Sequence, residues 1–164
     1  MKKYISLLAV SVIATISVCA QNRLMAIGTL GTVNESPADT KDLISIKALH
    51  DFNKTYKTVT NEDWYIIQKG FMAKFTQQGI QHRIIYNKNG KWVATFRYYN
   101  EDQLPAEVRH LVKSTWYDAA IRQVSEVSFG GKTAYLVSIE DNTSLKTIKV
   151  VNNEMELFQE MVKL

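Results

Sequence analysis

Two stretches of the chain repeat apolar residues at three- and four-residue spacing. In the first, Ile46, Leu49 and Phe52 fall on one stripe with polar residues between them, which predicts an amphipathic helix over Leu43–Tyr56. The second begins at Pro105, a residue that suits the first turn of a helix because its fixed backbone angle and missing N–H cost nothing there. We therefore expect two helices about 60 residues apart in the chain.

After each helical stretch the apolar period changes from about 3.6 to two, which is typical of strands. Four such segments follow the first helix: DWYIIQ, GFMAKFTQ, QHRIIYN and residues 91–99. Four more follow the second helix: AIRQVSEVSF, KTAYLVSIE, LKTIKVV and NNEMELFQEM. The halves also align with each other, since ALHDF lies over VRHLV and places His50 over His110.

The pattern predicts an α+β fold. Two tandem helix-plus-four-strand repeats, residues 43–100 and 101–164, would join edge to edge into one antiparallel sheet, because each half alone has only a marginal core. Both helices would then cover the same face of this sheet. The other face would be left uncovered, and its side chains become the candidates for a binding role.

The segment YNKNGKWVATFRYY, Tyr86 to Tyr99, decides which residues lie on that uncovered face. Its Asn87–Gly90 part predicts a hairpin turn. Strict alternation after the turn directs Trp92 and Phe96 toward the helices and Arg97 and Tyr99 away from them. Because tyrosine, methionine, arginine and lysine suit a protein-binding surface, we predict these partner-binding residues: Tyr65, Met72, Lys74, Arg97 and Tyr99.

The first 20 residues have the features of a secretory signal peptide. Lys2 and Lys3 precede an uncharged apolar run, and small residues precede a cleavage point after Ala20. Residues 21–42 show no periodicity and are interpreted as a flexible leader. The predicted location is periplasmic or secreted. The alternative is a lipoprotein anchored at Cys19, the only cysteine of the chain.

Charge argues against a nucleic-acid partner. The net charge of +4 falls to +2 once Lys2 and Lys3 are removed with the signal peptide, and no basic run remains. No later segment is apolar for long enough to predict a membrane span. Nothing in the pattern fixes the oligomeric state, although the edge strands of an open sheet leave dimerisation possible.

Candidate catalytic and metal-ligating groups are sparse. His50, His82 and His110 lack the spacing of a metal-ligand set, and the expected mature chain has no thiol. Neither Glu101–Asp102 nor Glu140–Asp141 has a pattern that points to an acid–base pair, since paired acids in turns are mostly solvated. We therefore predict no catalytic residue, no metal site and no cofactor.

The sequence also resembles a known family. The residues that carry the resemblance are Trp64, GFMAKF at 70–75, NGKWVATFRYY at 89–99 and LPAEVRHLVKSTWYD at 104–118. With the order of elements after a signal peptide, they resemble the β-lactamase-inhibitor-like, PepSY-like secreted proteins of Bacteroidetes-type bacteria. The resemblance implies a saddle-shaped sheet whose concave face grips a partner, which is a β-lactamase for the namesake and often a peptidase for PepSY domains.

Three hypotheses of function follow. The first is an exported, non-catalytic module that holds a protein or peptide from the cell envelope on its concave sheet face and so restrains or regulates an enzyme. The alternative is a periplasmic carrier or sensor of a small hydrophobic ligand, which would sit between sheet and helices near Trp64, Trp92 and Trp116. An enzyme is the third, and it lacks a recognisable catalytic constellation.

Overall fold

The protein is represented by a computed structural model, which describes residues 40–164. The predicted signal peptide and most of the predicted leader therefore lie outside the described residues. The helices are α1 (Ile46–Thr55) and α2 (Ala106–Thr115). The strands are β1 (Asp63–Ile67), β2 (Gly70–Gln77), β3 (Ile80–Asn87), β4 (Trp92–Tyr99), β5 (Ala120–Phe129), β6 (Lys132–Glu140), β7 (Ser144–Val151) and β8 (Glu154–Val162).

All eight strands form one sheet in the order β1 to β8, and every neighbouring pair is antiparallel. The predicted α+β class, with one eight-stranded antiparallel sheet and two helices, is confirmed. The two helices begin 60 residues apart (106 − 46 = 60), and four strands follow each of them. That the halves are repeats of one unit stays a prediction.

Each helix covers its own hydrophobic cluster. Beneath α1 the buried residues include Phe52, Trp64 and Phe75, with Phe52 packed edge-on against both other rings at 5.4 and 5.5 Å. Beneath α2, Val108 and Val112 pack on the second half of the sheet. Each helix has only ten residues and would be marginal alone, so burial of these apolar stripes is what holds it in place.

Both helices lie on the same face of the sheet. Ile84 belongs to the cluster under α1 and pairs directly with Thr95 of β4. Tyr99 belongs to the cluster under α2 and lies four residues farther along the same strand. Because side chains at even spacing share a face, the two clusters are on one side. We call this side the helix face and the opposite side the open face.

A β-bulge in β4 overturns part of the predicted alternation. Tyr86 pairs with Trp92, whereas the preceding Ile85 pairs with Ala94, so Val93 is an extra residue in β4. A bulge of this kind reverses the phase of every later side chain relative to strict alternation. Trp92 lies on the helix face as predicted, where it lines a pocket beside α1.

The residues after the bulge are consequently on the face opposite to the one predicted. Arg97 and Tyr99 were assigned to the uncovered face and lie on the helix face, while Phe96 was assigned to the helices and lies on the open face. The turn that precedes the bulge is as predicted. The side-chain oxygen of Asn87 accepts hydrogen bonds from the backbone N–H groups of Asn89 and Lys91.

Candidate functional site: the open face of the sheet

The open face is built from rows of directly paired residues that run across the strands. One row is apolar and consists of Tyr65, Met72, Ile85 and Ala94. The neighbouring row begins with charge and continues as apolar side chains: Asp63, Lys74, Arg83, Phe96, Val127 and Ala134. Within residues 40–164, neither α1 nor α2 packs on these rows, because their clusters lie on the helix face.

The predicted contact residues on this face differ in how much surface they offer. Tyr65, Met72 and Lys74 lie on the open face as expected from their strand positions. Tyr65 and Met72 are only 6% and 2% exposed, so they contribute little accessible area. Lys74 is half-buried, as are Phe96 and Tyr98, which the sequence pattern had not placed here. In the first half of the sheet, the accessible part of the open face therefore lies on β2, β3 and β4.

Two cationic side chains lie side by side in this accessible part. Lys74 and Arg83 are directly paired across β2 and β3. The guanidinium carbon of Arg83 lies 5.4 Å from the ring centroid of Tyr98, which is a cation–π distance. Burial raises the pKa of the Tyr98 hydroxyl, and the positive charge of Arg83 opposes that rise.

No acidic group of the described chain neutralises this cationic pair. Asp63 is the direct neighbour of Lys74 on β1, yet no ion pair within 4.0 Å joins Lys74 or Arg83 to an acid of residues 40–164. The Nε atom of Arg83 is also buried without a hydrogen-bond partner. Because Nε is buried, an external acceptor would pair with the terminal nitrogens of the guanidinium group instead.

Arg97 and Tyr99 have a different role on the helix face. One guanidinium nitrogen of Arg97 donates to both carboxylate oxygens of Glu126 at 3.0 Å, and the Tyr99 hydroxyl donates to Oε2 at 2.7 Å. Arg97 and Glu126 belong to neither hydrophobic cluster, whereas Tyr99 is a member of the cluster under α2. We call these three residues the polar seam. Arg97 and Tyr99 both donate hydrogen bonds to Glu126, and this links strand β4 of the first half to strand β5 of the second half.

His82 borders the polar seam. Its ring stacks on Phe75 with centroids 4.6 Å apart, and Tyr56, the residue after α1, meets it edge-on. Burial lowers the pKa of His82 below its ordinary value of 6.5, the charge of Arg97 lowers it further, and Glu126 partly offsets this. The unfolded chain therefore takes up a proton more readily than the folded one, so this contribution to stability is present above pH 6.5 and is lost as the pH falls.

The acidic pair Glu140–Asp141 makes ion pairs and hydrogen bonds within the fold. Glu140 is ion-paired with Arg122 and Lys163, and these hydrogen bonds hold its pKa below the ordinary range. Asp141 accepts from Lys146 and from backbone N–H groups of the β6–β7 turn, and its pKa is also lowered. Among residues 40–164, no three His, Cys, Asp or Glu side chains come together as a metal-binding group.

The three tryptophans do not line a common cavity. Trp64 is 3% exposed inside the cluster under α1, and Trp116 packs against the cluster under α2. Trp92 is 41% exposed and donates from its indole nitrogen to Thr95. The cavity expected for a hydrophobic ligand between sheet and helices is therefore not formed by these residues.

Comparison with known proteins adds information on the fold. No protein-family model matches the chain, and no curated protein matches it by sequence. Solved structures do match. A DUF2874 family protein from Bacteroides ovatus is similar with a TM-score of 0.59 and 18% identity, covering 73% of this chain and 87% of that one. A BLIP-like protein from Bacteroides fragilis has a TM-score of 0.55 and 20% identity, with 73% and 86% covered.

The chain shares the fold of these Bacteroides proteins. A third structure, of a candidate periplasmic protein from Bacteroides eggerthii, agrees with a TM-score of 0.58 and 16% identity, covering 73% of this chain and 88% of that one. The resemblance to β-lactamase-inhibitor-like proteins that the sequence motifs indicated is thus confirmed at the level of the fold. In the part of the chain that the structure describes, no helix is long and apolar enough to cross a membrane.

Sequence reasoning missed Arg83, Phe96 and Tyr98 as members of the open face. The bulge at Val93 explains Phe96 and Tyr98, because a bulge changes the phase of a strand without changing its composition. Arg83 had a detectable signal. With the Asn87–Gly90 turn fixed, Tyr86 lies beside Trp92, and Arg83, three residues before Tyr86 in β3, falls on the opposite face.

Proposed function

We propose that the protein is an exported, non-catalytic module that binds a protein or peptide on the open face of its sheet. The observation that carries the proposal is the composition of this face over β2, β3 and β4. An apolar row lies beside two cations that have no acidic partner among the described residues, and Phe96 and Tyr98 are accessible next to them. Aromatic and arginine side chains surrounded by apolar contacts are typical of binding hot spots.

The likeness to known structures supports the same class of function. One neighbour is a BLIP-like protein, and a β-lactamase inhibitor acts by binding another protein. Another is described as a candidate periplasmic protein, which agrees with the predicted signal peptide over residues 1–20. We propose a periplasmic or secreted location on these grounds, and a partner in the cell envelope whose activity the protein restrains or regulates.

Affinity capture from envelope extract tests the proposal. The exported chain is immobilised beside a Phe96→Ala/Tyr98→Ala variant, and retained proteins are compared by mass spectrometry. The matched control is Ile46→Ala/Tyr117→Ala, which removes side chains that are 82% and 81% exposed on α1 and just after α2. We expect the native chain and the control to retain the same protein and the open-face variant to lose it.

The opposite pattern would contradict the proposal. Retention of one protein by the native chain and the open-face variant, with loss by the Ile46→Ala/Tyr117→Ala control, would locate binding on the helix side. Circular dichroism of all three proteins, at the temperature of the capture, separates loss of binding from loss of fold.

A further inference from the structure

We infer that the open face accepts an aspartate or glutamate side chain of its partner, seated against Arg83 and Lys74. This inference rests on the proposed function and names the chemistry of the same site. Lys74 and Arg83 are directly paired on the adjacent strands β2 and β3, and no acid of residues 40–164 lies within ion-pair distance of either. The local charge is therefore complementary to an anion.

The geometry of Arg83 favours a carboxylate in particular. The guanidinium carbon of Arg83 lies 5.4 Å from the ring centroid of Tyr98, and this contact restrains the side chain. Because Nε is buried, the terminal nitrogens are the donors left for a partner. A carboxylate presents two oxygens, and a guanidinium donates to both through parallel hydrogen bonds. One partner carboxylate would accept from the terminal nitrogens of Arg83, next to the directly paired Lys74. Because the Tyr98 contact already orders Arg83, little side-chain entropy is lost on binding.

The position of the pair favours a side chain over a chain terminus. Lys74 and Arg83 lie on β2 and β3, inside the sheet, with the apolar row of Met72 and Ile85 on one side and Tyr98 on the other. A peptide that covers this region continues across both sides of the cationic pair. Because Met72 and Ile85 are only 2% and 5% exposed, the apolar contact is expected at the half-buried Phe96 and Tyr98. The expected partner segment thus carries one acidic residue next to an apolar or aromatic residue.

Asp63 restricts where the partner's acid binds. It is the direct neighbour of Lys74 on the edge strand β1, and it is exposed. Its negative charge repels a second carboxylate at that edge. The acidic residue is therefore expected on the Arg83 side of the pair, toward Phe96 and β4.

Selection of displayed peptides tests this inference without knowledge of the natural partner. A random peptide library, joined to the coat protein through the peptide C-termini, has no free terminal carboxylate, so any acid it supplies is a side chain. Clones selected on the native chain are assayed against Phe96→Ala/Tyr98→Ala to identify those that use the open face. The matched charge control is Lys47→Gln on the exposed surface of α1.

We expect the open-face clones to be enriched in aspartate or glutamate next to an apolar or aromatic residue. Their affinity should fall at least tenfold on Arg83→Gln, fall less on Arg83→Lys, and stay unchanged on Lys47→Gln. Replacing the acid by its amide in the peptide should remove the dependence on Arg83. Each binding constant is measured at two salt concentrations, because pairing of exposed charges weakens as salt is added.

Different failures identify different errors. Open-face clones without acidic enrichment, or with equal affinity for the native chain and Arg83→Gln, would overturn the inference and leave the proposed function standing. A library in which no clone depends on Phe96 and Tyr98 would overturn both. Urea unfolding of the Arg83 variants shows whether a lost affinity reflects an altered fold.

Discussion

Replacement of Arg97 by alanine should destabilise the fold, because the polar seam is an internal structural element. Glu126 has an 11% exposed side chain and accepts two hydrogen bonds from Arg97 and one from Tyr99. Without Arg97, a largely buried carboxylate keeps only the tyrosine hydroxyl. Breaking a buried ion pair from one side costs about 3–5 kcal/mol. Because the Arg97 side chain is 35% exposed, water screens part of the ion-pair energy. We therefore expect Arg97→Ala to lower the free energy of unfolding by about 2–3 kcal/mol.

Urea unfolding followed by tryptophan fluorescence measures this loss. With a slope of about 2 kcal/mol per molar urea, the midpoint should fall by about 1–1.5 M while the slope stays constant. Tyr99→Phe should cost less, about 1–2 kcal/mol, since it removes one hydrogen bond to a charged acceptor. The matched control is Lys74→Ala on the open face, expected within about 0.5 kcal/mol of the native chain.

The double variant Arg97→Met/Glu126→Leu separates the cost of leaving Glu126 unpaired from the loss of the ion pair itself. Replacing both partners removes the unpaired charge, so its stability should recover most of the loss seen for Arg97→Ala. An Arg97→Ala midpoint equal to that of the native chain would refute the assignment of Arg97 to the helix face. That result would instead support strict alternation in β4, which places Arg97 on the open face.

Three further changes test other parts of the account. His82→Phe keeps the stack on Phe75 and removes the buried titrating ring, so the loss of stability between pH 7.5 and 5.5 should be smaller than in the native chain; an equal loss would contradict the lowered pKa. Gly70→Ala should lower the free energy of unfolding by about 4 kcal/mol or more, because at this positive φ the added Cβ would lie 2.0 Å from a backbone oxygen. Gly79→Ala has open space around it and should cost about 1–2 kcal/mol, so similar urea midpoints for the two variants would contradict this. Deletion of Val93 should preserve the fold, since it removes only the bulge. Deletion of Ala73, in a regular stretch of β2 that is paired on both sides, should abolish cooperative unfolding; the reverse order would place the extra residue elsewhere.

The elements were predictable from the sequence because their periods are strong. The first helix has apolar residues at helical spacing, although Ile46 is 82% exposed and the buried residues there are Ile44, Ala48 and Phe52. The hairpin at Asn87–Gly90 has turn residues whose geometry is local. The one-sided arrangement of the helices followed from the need to bury both stripes. These are properties that depend on neighbouring residues in the chain.

The faces of β4 could not be predicted, because they depend on pairing with β3. The bulge at Val93 has no distinctive residue type, and a single extra residue moved Arg97 and Tyr99 to the helix face. A charged residue on a covered face also contradicts the ordinary expectation that arginine lies in solvent. Its acceptor, Glu126, is 29 residues away in the sequence, and only the structure brings the two together.

Hydroxyl-radical footprinting of the captured complex shows directly whether the partner covers the open face of the sheet. The side chains of Phe96 and Tyr98 report on the open face, and those of Trp92 and Tyr117 report on the surface near the helices, where they are 41% and 81% exposed. We expect oxidation of Phe96 and Tyr98 to fall when the partner is bound, while oxidation of Trp92 and Tyr117 is unchanged. Protection of Trp92 and Tyr117, with Phe96 and Tyr98 oxidised as in the free protein, would contradict it.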